Sequence, residues 1–212
     1  MTVAIQFSGL VLDTSKKKSG TLKKVLDIVY RMSYNRHLIE REMSMYEALK
    51  FATEMHEGQI RKYDGGAYIE HPIAVADLVE EHMDFMGFEE EAVQTAIQIA
   101  ILHDTVEDTP ATIEMIEEKF GTEIAQGVWF LTKCPEYAGN RAVRKKICEA
   151  RLANAPEVVK IIKTFDMMHN ATTIAENDPK FWELFKKETI ELLKAMETQS
   201  IWVEAGGTDI YV

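Results

Sequence analysis

The decapeptide Ala100-Ile101-Leu102-His103-Asp104-Thr105-Val106-Glu107-Asp108-Thr109 constrains this chain more than any other stretch. It sets a His-Asp pair and a Glu-Asp pair at the end of an apolar run whose spacing predicts one helix from Glu89 to Val106. Residues four apart on a helix lie one above the other, so His103 is expected to share a face with Glu107, and Asp104 with Asp108. Three carboxylates and an imidazole within two turns repel one another unless a proton or a cation sits among them. Two readings follow. One is a metal site with its own acid–base groups; the other is an N-cap cluster in which Asp108 or Thr109 caps a helix opening at Pro110. Both can hold at once, so other residues must weigh in.

Helical periodicity accounts for most of the remaining chain. Ser44-Met45-Tyr46-Glu47 fits a capping box that starts a helix running to His56 and stopping at Gly58. A Gly-rich loop, Gln59 to Gly66, leads to Pro72 at the first position of the next helix, with His71 as its cap. Further helices are expected over Ile113–Phe120, Thr122–Thr132, Arg141–Ala153, from Pro156 through Met168, and from Phe181 to Met196. The first residues, Thr2 to Phe7 and Leu10 to Leu12, read as a strand, hairpin or arm, and Leu22 to Tyr30 recur at helical spacing. Gly206-Gly207 suggests a loose tail with a last strand at Ile210–Val212. The expectation is an all-α fold with minor extended pieces at the ends: an N-terminal extension (1–43), a helical domain (44–200) and a C-terminal tail (201–212).

A chain of 212 residues can bury one full core. Its net charge of -11 is a poor match for duplex nucleic acid, although a small phosphorylated ligand could still be held by local cations. Cys134 and Cys148, the only cysteines, read as two isolated thiols of a reducing cytoplasm. No membrane-length apolar span or signal peptide pattern is visible, so a soluble cytoplasmic protein is expected.

The six histidines then need sorting. His37 and His82 lie among charges and read as solvated; His56 reads as a core or supporting residue. His71 either caps a helix or points into a cleft. Asp166 is more telling, because it falls inside the apolar run Val158–Met168, where an unpaired charge is costly and a cation would answer it. Asn170 shares its face one turn on. Two imidazoles and two carboxylates form a mixed N/O set that suits Mn²⁺, Fe²⁺ or Zn²⁺ better than Ca²⁺. Such a cation lowers the pKa of bound water, and Glu107 and Asp108 could orient that water or protonate a leaving group.

The order His71, His103-Asp104, Asp166 resembles that of the HD-domain metal-dependent phosphohydrolases. Six ordered stretches extend the likeness to the hydrolase domain of the RelA/SpoT family, over residues 44–175: His56–Lys62, Tyr68–Ala76, Leu102–Thr109, Lys119–Gly121, Leu131–Lys133 and Ile162–Asn170. Because the chain ends before a synthetase domain could follow, it resembles the stand-alone small alarmone hydrolases, which include metazoan SpoT homologues. The resemblance implies an HD-domain helical bundle. It also implies one Mn²⁺ per chain, held by His71, His103, Asp104 and Asp166, with Glu107 and Asp108 handling the attacking water. The substrate would be the 3′-pyrophosphate of (p)ppGpp, giving pyrophosphate and GDP or GTP. Arg61 and Lys62 would lie against the nucleotide, Asn170 near the ribose and Thr173 against a phosphate. Arg144 and Lys145, on the basic stripe of Arg141–Ala153, could draw in polyphosphate or form a solvated face. Met167 and Ala171-Thr172 depart from the basic residues usual there, and the loop before Tyr68 lacks the usual proline; these bear on substrate preference rather than on hydrolysis. The alternatives are hydrolysis of (p)ppApp or of the NADPH 2′-phosphate, and a catalytically silent alarmone-binding module.

Overall fold

The structure, a computed structural model, describes residues 5–7, 10–12, 41–196, 203–205 and 208–210. The chain divides into two compact units, Met1–Met43 and Ser44–Val212. In the first, β1 (Ile5–Phe7) pairs antiparallel with β2 (Leu10–Leu12), Ile5 opposite Leu12 and Phe7 opposite Leu10. This is the hairpin option. The helical pattern of Leu22–Tyr30 and His37 lie outside the described residues.

The second unit is helical, as expected. Residues 41–55 form α1, of which 44–55 belong to this unit. There follow α2 (Glu70–Met86), α3 (Glu90–Leu102), the short α4 (Thr105–Asp108), α5 (Ile113–Phe120), α6 (Thr122–Leu131), a 3-10 turn at Glu136–Ala138, α7 (Arg141–Ala153), α8 (Glu157–Asn177) and α9 (Pro179–Ala195). A two-stranded antiparallel pair, β3 (Val203–Ala205) and β4 (Thr208–Ile210), comes last. The expected strand therefore sits two residues earlier, at Thr208; Gly206, Gly207, Tyr211 and Val212 lie outside the described residues.

α3 is the central element. Val93, Ala96, Ile97, Ile99, Ala100, Ile101 and Leu102 are all buried on it, so it presents almost no wet face. It packs against α2, α6 and α8, and each buried aliphatic side chain contributes roughly 1.5–3 kcal/mol of transfer free energy. One close approach decides how α6 sits: a Cβ placed on Gly127 would come within 2.4 Å of Ile99 Cδ1 and 3.0 Å of Ile99 Cγ2. A small second cluster, Ala171, Ile174 and Trp182, joins α8 to α9.

Four local expectations are corrected. Helix α1 is already running at residue 41, so Ser44 opens no capping box; its hydroxyl instead donates to Gln98 Oε1 on α3 at 2.8 Å. Helix α2 begins at Glu70, which makes Pro72 its third residue, still within the turn whose N–H groups have no helical partner. His71 caps nothing and is buried. Pro110 opens no helix: Thr109 ends α4, and Thr112 caps α5 by accepting from Met115 N at 3.3 Å.

The fourth correction bears on function. The predicted Glu89–Val106 helix stops at Leu102 and resumes as a separate turn at Thr105. The Thr105 hydroxyl donates to the Leu102 carbonyl at 2.6 Å, taking the acceptor a continuous helix would offer to the Val106 N–H.

Gly127→Ala should lower stability by about 1–2 kcal/mol despite alanine's better helix propensity, because the new methyl overpacks Ile99. The midpoint of urea unfolding checks this; an unchanged or raised midpoint would show that α3 and α6 separate freely.

Candidate metal centre

Three elements bring the candidate ligands together. His71 comes from the first turn of α2, His103 and Asp104 from the break after α3, and Asp166 from the middle of α8. One ligand atom each from His71, His103 and Asp166 lies within 4.8 Å of the others, and all three residues are buried. Asp166 Oδ1 is 3.2 Å from His71 Nε2 and 3.7 Å from His103 Nε2. Asp104 Oδ2 approaches the same nitrogens at 3.5 and 3.1 Å. Ligand atoms about 2.0–2.2 Å from one shared cation stand apart by separations of this size.

The rings are held from outside the cluster. His103 Nδ1–H donates to the Ala100 carbonyl at 2.7 Å, which leaves Nε2 a bare lone pair. His71 Nδ1 meets His169 Nδ1 at 2.8 Å. Burial, then the nearby His71 and Arg61, lower the His169 pKa to about 4, so that ring stays neutral. That contact holds the His71 ring by its Nδ1 edge, and Nε2 faces the cluster. Both Nε2 atoms are buried and make no hydrogen bond. Two orphaned lone pairs aimed at two carboxylates fit a cation.

The charges fit as well. Burial acts to raise the Asp166 pKa, but Lys163, whose Nζ donates to Oδ2 at 2.6 Å, holds it well below the usual range with help from the imidazoles. Burial likewise opposes ionisation of Asp104, and His103 outweighs it. Burial acts to lower the His103 pKa, but Asp104 and Asp166 outweigh it and raise it well above normal, the same field that would hold a cation there. Of the four carboxylates, Glu107 pairs with Lys133 and Asp166 with Lys163; a divalent cation would offset the charge of Asp104 and Asp108.

The second acidic pair has partners of its own. Glu107 accepts from the Lys133 backbone N–H at 3.1 Å and from the Lys133 ammonium. Burial raises its pKa; Lys133 pulls it back and Asp104 adds to the rise. The Tyr68 hydroxyl lies between Asp104 Oδ2 (2.7 Å) and Asp108 Oδ2 (2.8 Å), so that i,i+4 pair does meet. Burial, followed by these carboxylates, pushes the Tyr68 pKa up and keeps the phenol a donor. His56, buried, stacks on Tyr68 and bonds Gln59, which in turn donates to the Asp108 carbonyl at 2.7 Å.

The other predicted residues are placed as follows. Asn170 Nδ2 donates to Asp166 Oδ1 at 2.7 Å. Thr173 bonds back to the Asn170 carbonyl on its own helix. Arg61 has only 9% of its side chain exposed and holds Asp64 at 2.6 Å, while Lys62 is 72% exposed and reaches Tyr63 and Asp178. Arg144 faces Glu136 at 3.9 Å, and Lys145 pairs with Glu149 and with Glu191 of α9. His82 is half-buried against Phe165 rather than solvated. Residue-by-residue reading missed His169, Tyr68, Lys133 and Lys163. Helical spacing from Asp166 would have found Lys163 and His169, three residues before and after it; nothing local points to Lys133.

The profile of the HD-domain family (HD_4) matches residues 48–202. The guanosine-3′,5′-bis(diphosphate) 3′-pyrophosphohydrolase of Haemophilus influenzae is 34% identical over 66% of this chain, and the bifunctional (p)ppGpp synthase/hydrolase SpoT of Escherichia coli 33% identical over 69%. The chain spans 20% of the length of each. A third relative is matched over most of its own length: the guanosine-3′,5′-bis(diphosphate) 3′-pyrophosphohydrolase MESH1 of Danio rerio, 31% identical over 65% of this chain and 73% of that protein. The solved structure of a metazoan orthologue of SpoT superposes with a TM-score of 0.62 at 24% identity, over 72% of this chain and 85% of that one, and shares its fold. Among the described residues no helix is long and apolar enough to cross a membrane.

His103→Ala should abolish stoichiometric metal in the purified chain. His169→Ala should keep the fold and weaken metal binding about 10–100-fold by releasing the His71 ring. Elemental analysis and chelator competition read both, and a His103→Ala chain still carrying one ion would contradict the ligand assignment.

Proposed function

We propose, on the premise that the chain belongs to the HD-domain family and to the relatives of the SpoT-type hydrolases, that it removes the 3′-pyrophosphate of (p)ppGpp. Residues 44–200 form the hydrolase domain of this reading, with 1–43 an extension and 201–212 a tail. The ion is Mn²⁺, one per chain, on His71, His103, Asp104 and Asp166; the mixed imidazole–carboxylate donors favour it over Ca²⁺. Bound there, it would supply a Lewis acid that acidifies a water and offsets pyrophosphate charge. The observation that carries the reading is the pair of orphaned Nε2 atoms meeting two carboxylates next to Glu107 and Asp108.

The chain's own groups then handle the proton. Glu107, its pKa raised by burial, is suited to take a proton from the attacking water and return it to the ribose 3′-oxygen as the P–O bond breaks. The Lys133 ammonium on Glu107 keeps enough of it ionised to act as a base. Tyr68 orients Asp108 alongside. Arg61, Lys62, Asn170 and Thr173 are the nucleotide contacts of this reading. Arg144 and Lys145 contribute only a basic edge, since both stand in ion pairs. In this reading the reaction runs in the cytoplasm on a small nucleotide, with no duplex nucleic acid or membrane as partner.

Chromatographic assay of ppGpp, ppApp and NADPH with and without Mn²⁺ tests the assignment. Mn²⁺-dependent release of pyrophosphate from ppGpp is expected, whereas NADPH turnover with ppGpp untouched would overturn it. Binding of ppGpp without turnover, alike in wild type and Glu107→Gln, would point to a silent binding module.

Glu107→Gln should lower kcat about 10²–10⁴-fold while the metal stays bound. Activity that needs ionised Glu107 rises with pH through its elevated pKa, so the acid limb of the kcat profile should lie above the ordinary glutamate range. Lys133→Met removes a charge that holds this pKa down, so the limb should move to higher pH. A limb that stays put would exclude Glu107 as the base.

A further inference from the structure

Cys134 and Cys148 lie 14 positions apart in sequence, yet the Cys148 thiol donates to Cys134 Sγ at 3.1 Å. Both are free and partly exposed. Cys134 sits in the loop after α6 and Cys148 in the middle of α7. The two sulfurs have different surroundings. Cys148 Sγ accepts from the Cys134 backbone N–H at 3.4 Å and faces Arg151 Nη2 at 3.9 Å, two donors aimed at that sulfur. Arg151 is held there by the Thr132 carbonyl and by the Trp129 ring, 4.9 Å away. Burial, then the bond with Cys148, push the Cys134 thiol up, so it keeps its proton. The next residue back, Lys133, is the one whose N–H and ammonium both hold Glu107.

We propose that Cys134 and Cys148 form a peroxide-responsive dithiol that closes to an intramolecular disulfide and thereby displaces the Lys133–Glu107 pair. The Cys148 sulfur, giving up its proton, attacks one oxygen of hydrogen peroxide; the O–O bond breaks, leaving Cys148 as a sulfenic acid and releasing hydroxide, which that proton turns to water. Cys134 sulfur then attacks Cys148 sulfur, the S–O bond breaks, and water leaves with the Cys134 proton. In sum, two thiols lose two electrons and one peroxide becomes two waters. Closure draws the sulfurs together by about 1 Å, to the bond length of about 2.05 Å. The backbone between Thr132 and Pro135 must follow, and Lys133 moves with it. The thiol chemistry stands by itself; its effect on turnover rests on the hydrolase reading above.

The test uses the full reduced chain, treated with hydrogen peroxide. Intact mass should fall by two hydrogens, both free thiols should disappear without dimer formation, and dithiothreitol should restore them. Cys134→Ser should stop at a sulfenic acid on Cys148 that dimedone traps. Turnover of ppGpp with Mn²⁺ should drop about ten-fold or more on oxidation, a loss that misplacement by 1 Å can cause, and Cys148→Ser should resist it. Persistence of both thiols, or disulfides only between chains, would overturn the dithiol; a closed disulfide with unchanged kcat would overturn its coupling to Glu107. If the reduced chain leaves ppGpp intact, the hydrolase reading fails, while mass and thiol count still decide the dithiol.

Discussion

Buried negative charge is the constraint to which this structure answers. Asp166 is enclosed on α8, Asp104 closes the space between α3 and α2, and neither can ionise in a dry interior without opposite charge nearby. Lys163 supplies one balancing charge from the same helix. Asp104 and Asp166 also draw positive charge to His103, where a bound cation would offset them. Packing of α2, α3 and α8 and the electrostatics of the cluster are therefore one problem. The helices that bury the core also bury the charges, and the rings are held by groups outside the cluster, the Ala100 carbonyl and His169.

The break between Leu102 and Thr105 divides the labour. The Thr105 hydroxyl takes the Leu102 carbonyl, and the second acidic pair gains neighbours of its own. Glu107 meets Lys133 from the loop after α6, and Asp108 meets Tyr68 from the loop before α2. One acidic decapeptide thus serves two environments: a closed cluster with orphaned nitrogens, and a more open edge where a carboxylate of raised pKa is backed by an ammonium.

That open edge ties the site to distant parts of the unit. Lys133 precedes Cys134, whose partner lies on α7, and α7 is fastened to α9 through Arg141–Glu188 and Lys145–Glu191. In the basic stripe of α7, which in sequence looks like a lure for polyphosphate, Arg141 and Lys145 pair with the last helix and Arg144 with Glu136.

Short-range pattern by itself determined the helical class, most helix bounds and the ligand types. Periods of 3.6 and local stops are written in neighbouring residues: α5 and α7 occur where spacing put them, and Asp166 announced itself as a charge in an apolar run. The resemblance of the ordered motifs to a known family added the pairing of His71 with His103, which no local pattern holds. Only the tertiary structure decided the rest. That Ser44 would bond Gln98 rather than open a helix, that Lys133 would answer Glu107, and that two thiols read as isolated would touch all depend on contacts across 54, 26 and 14 positions. The same holds at His103–Asp108: the crowding of charge was legible in the sequence, but its resolution required the partners that other helices bring, because electrostatic energy depends on distance in space and not along the chain.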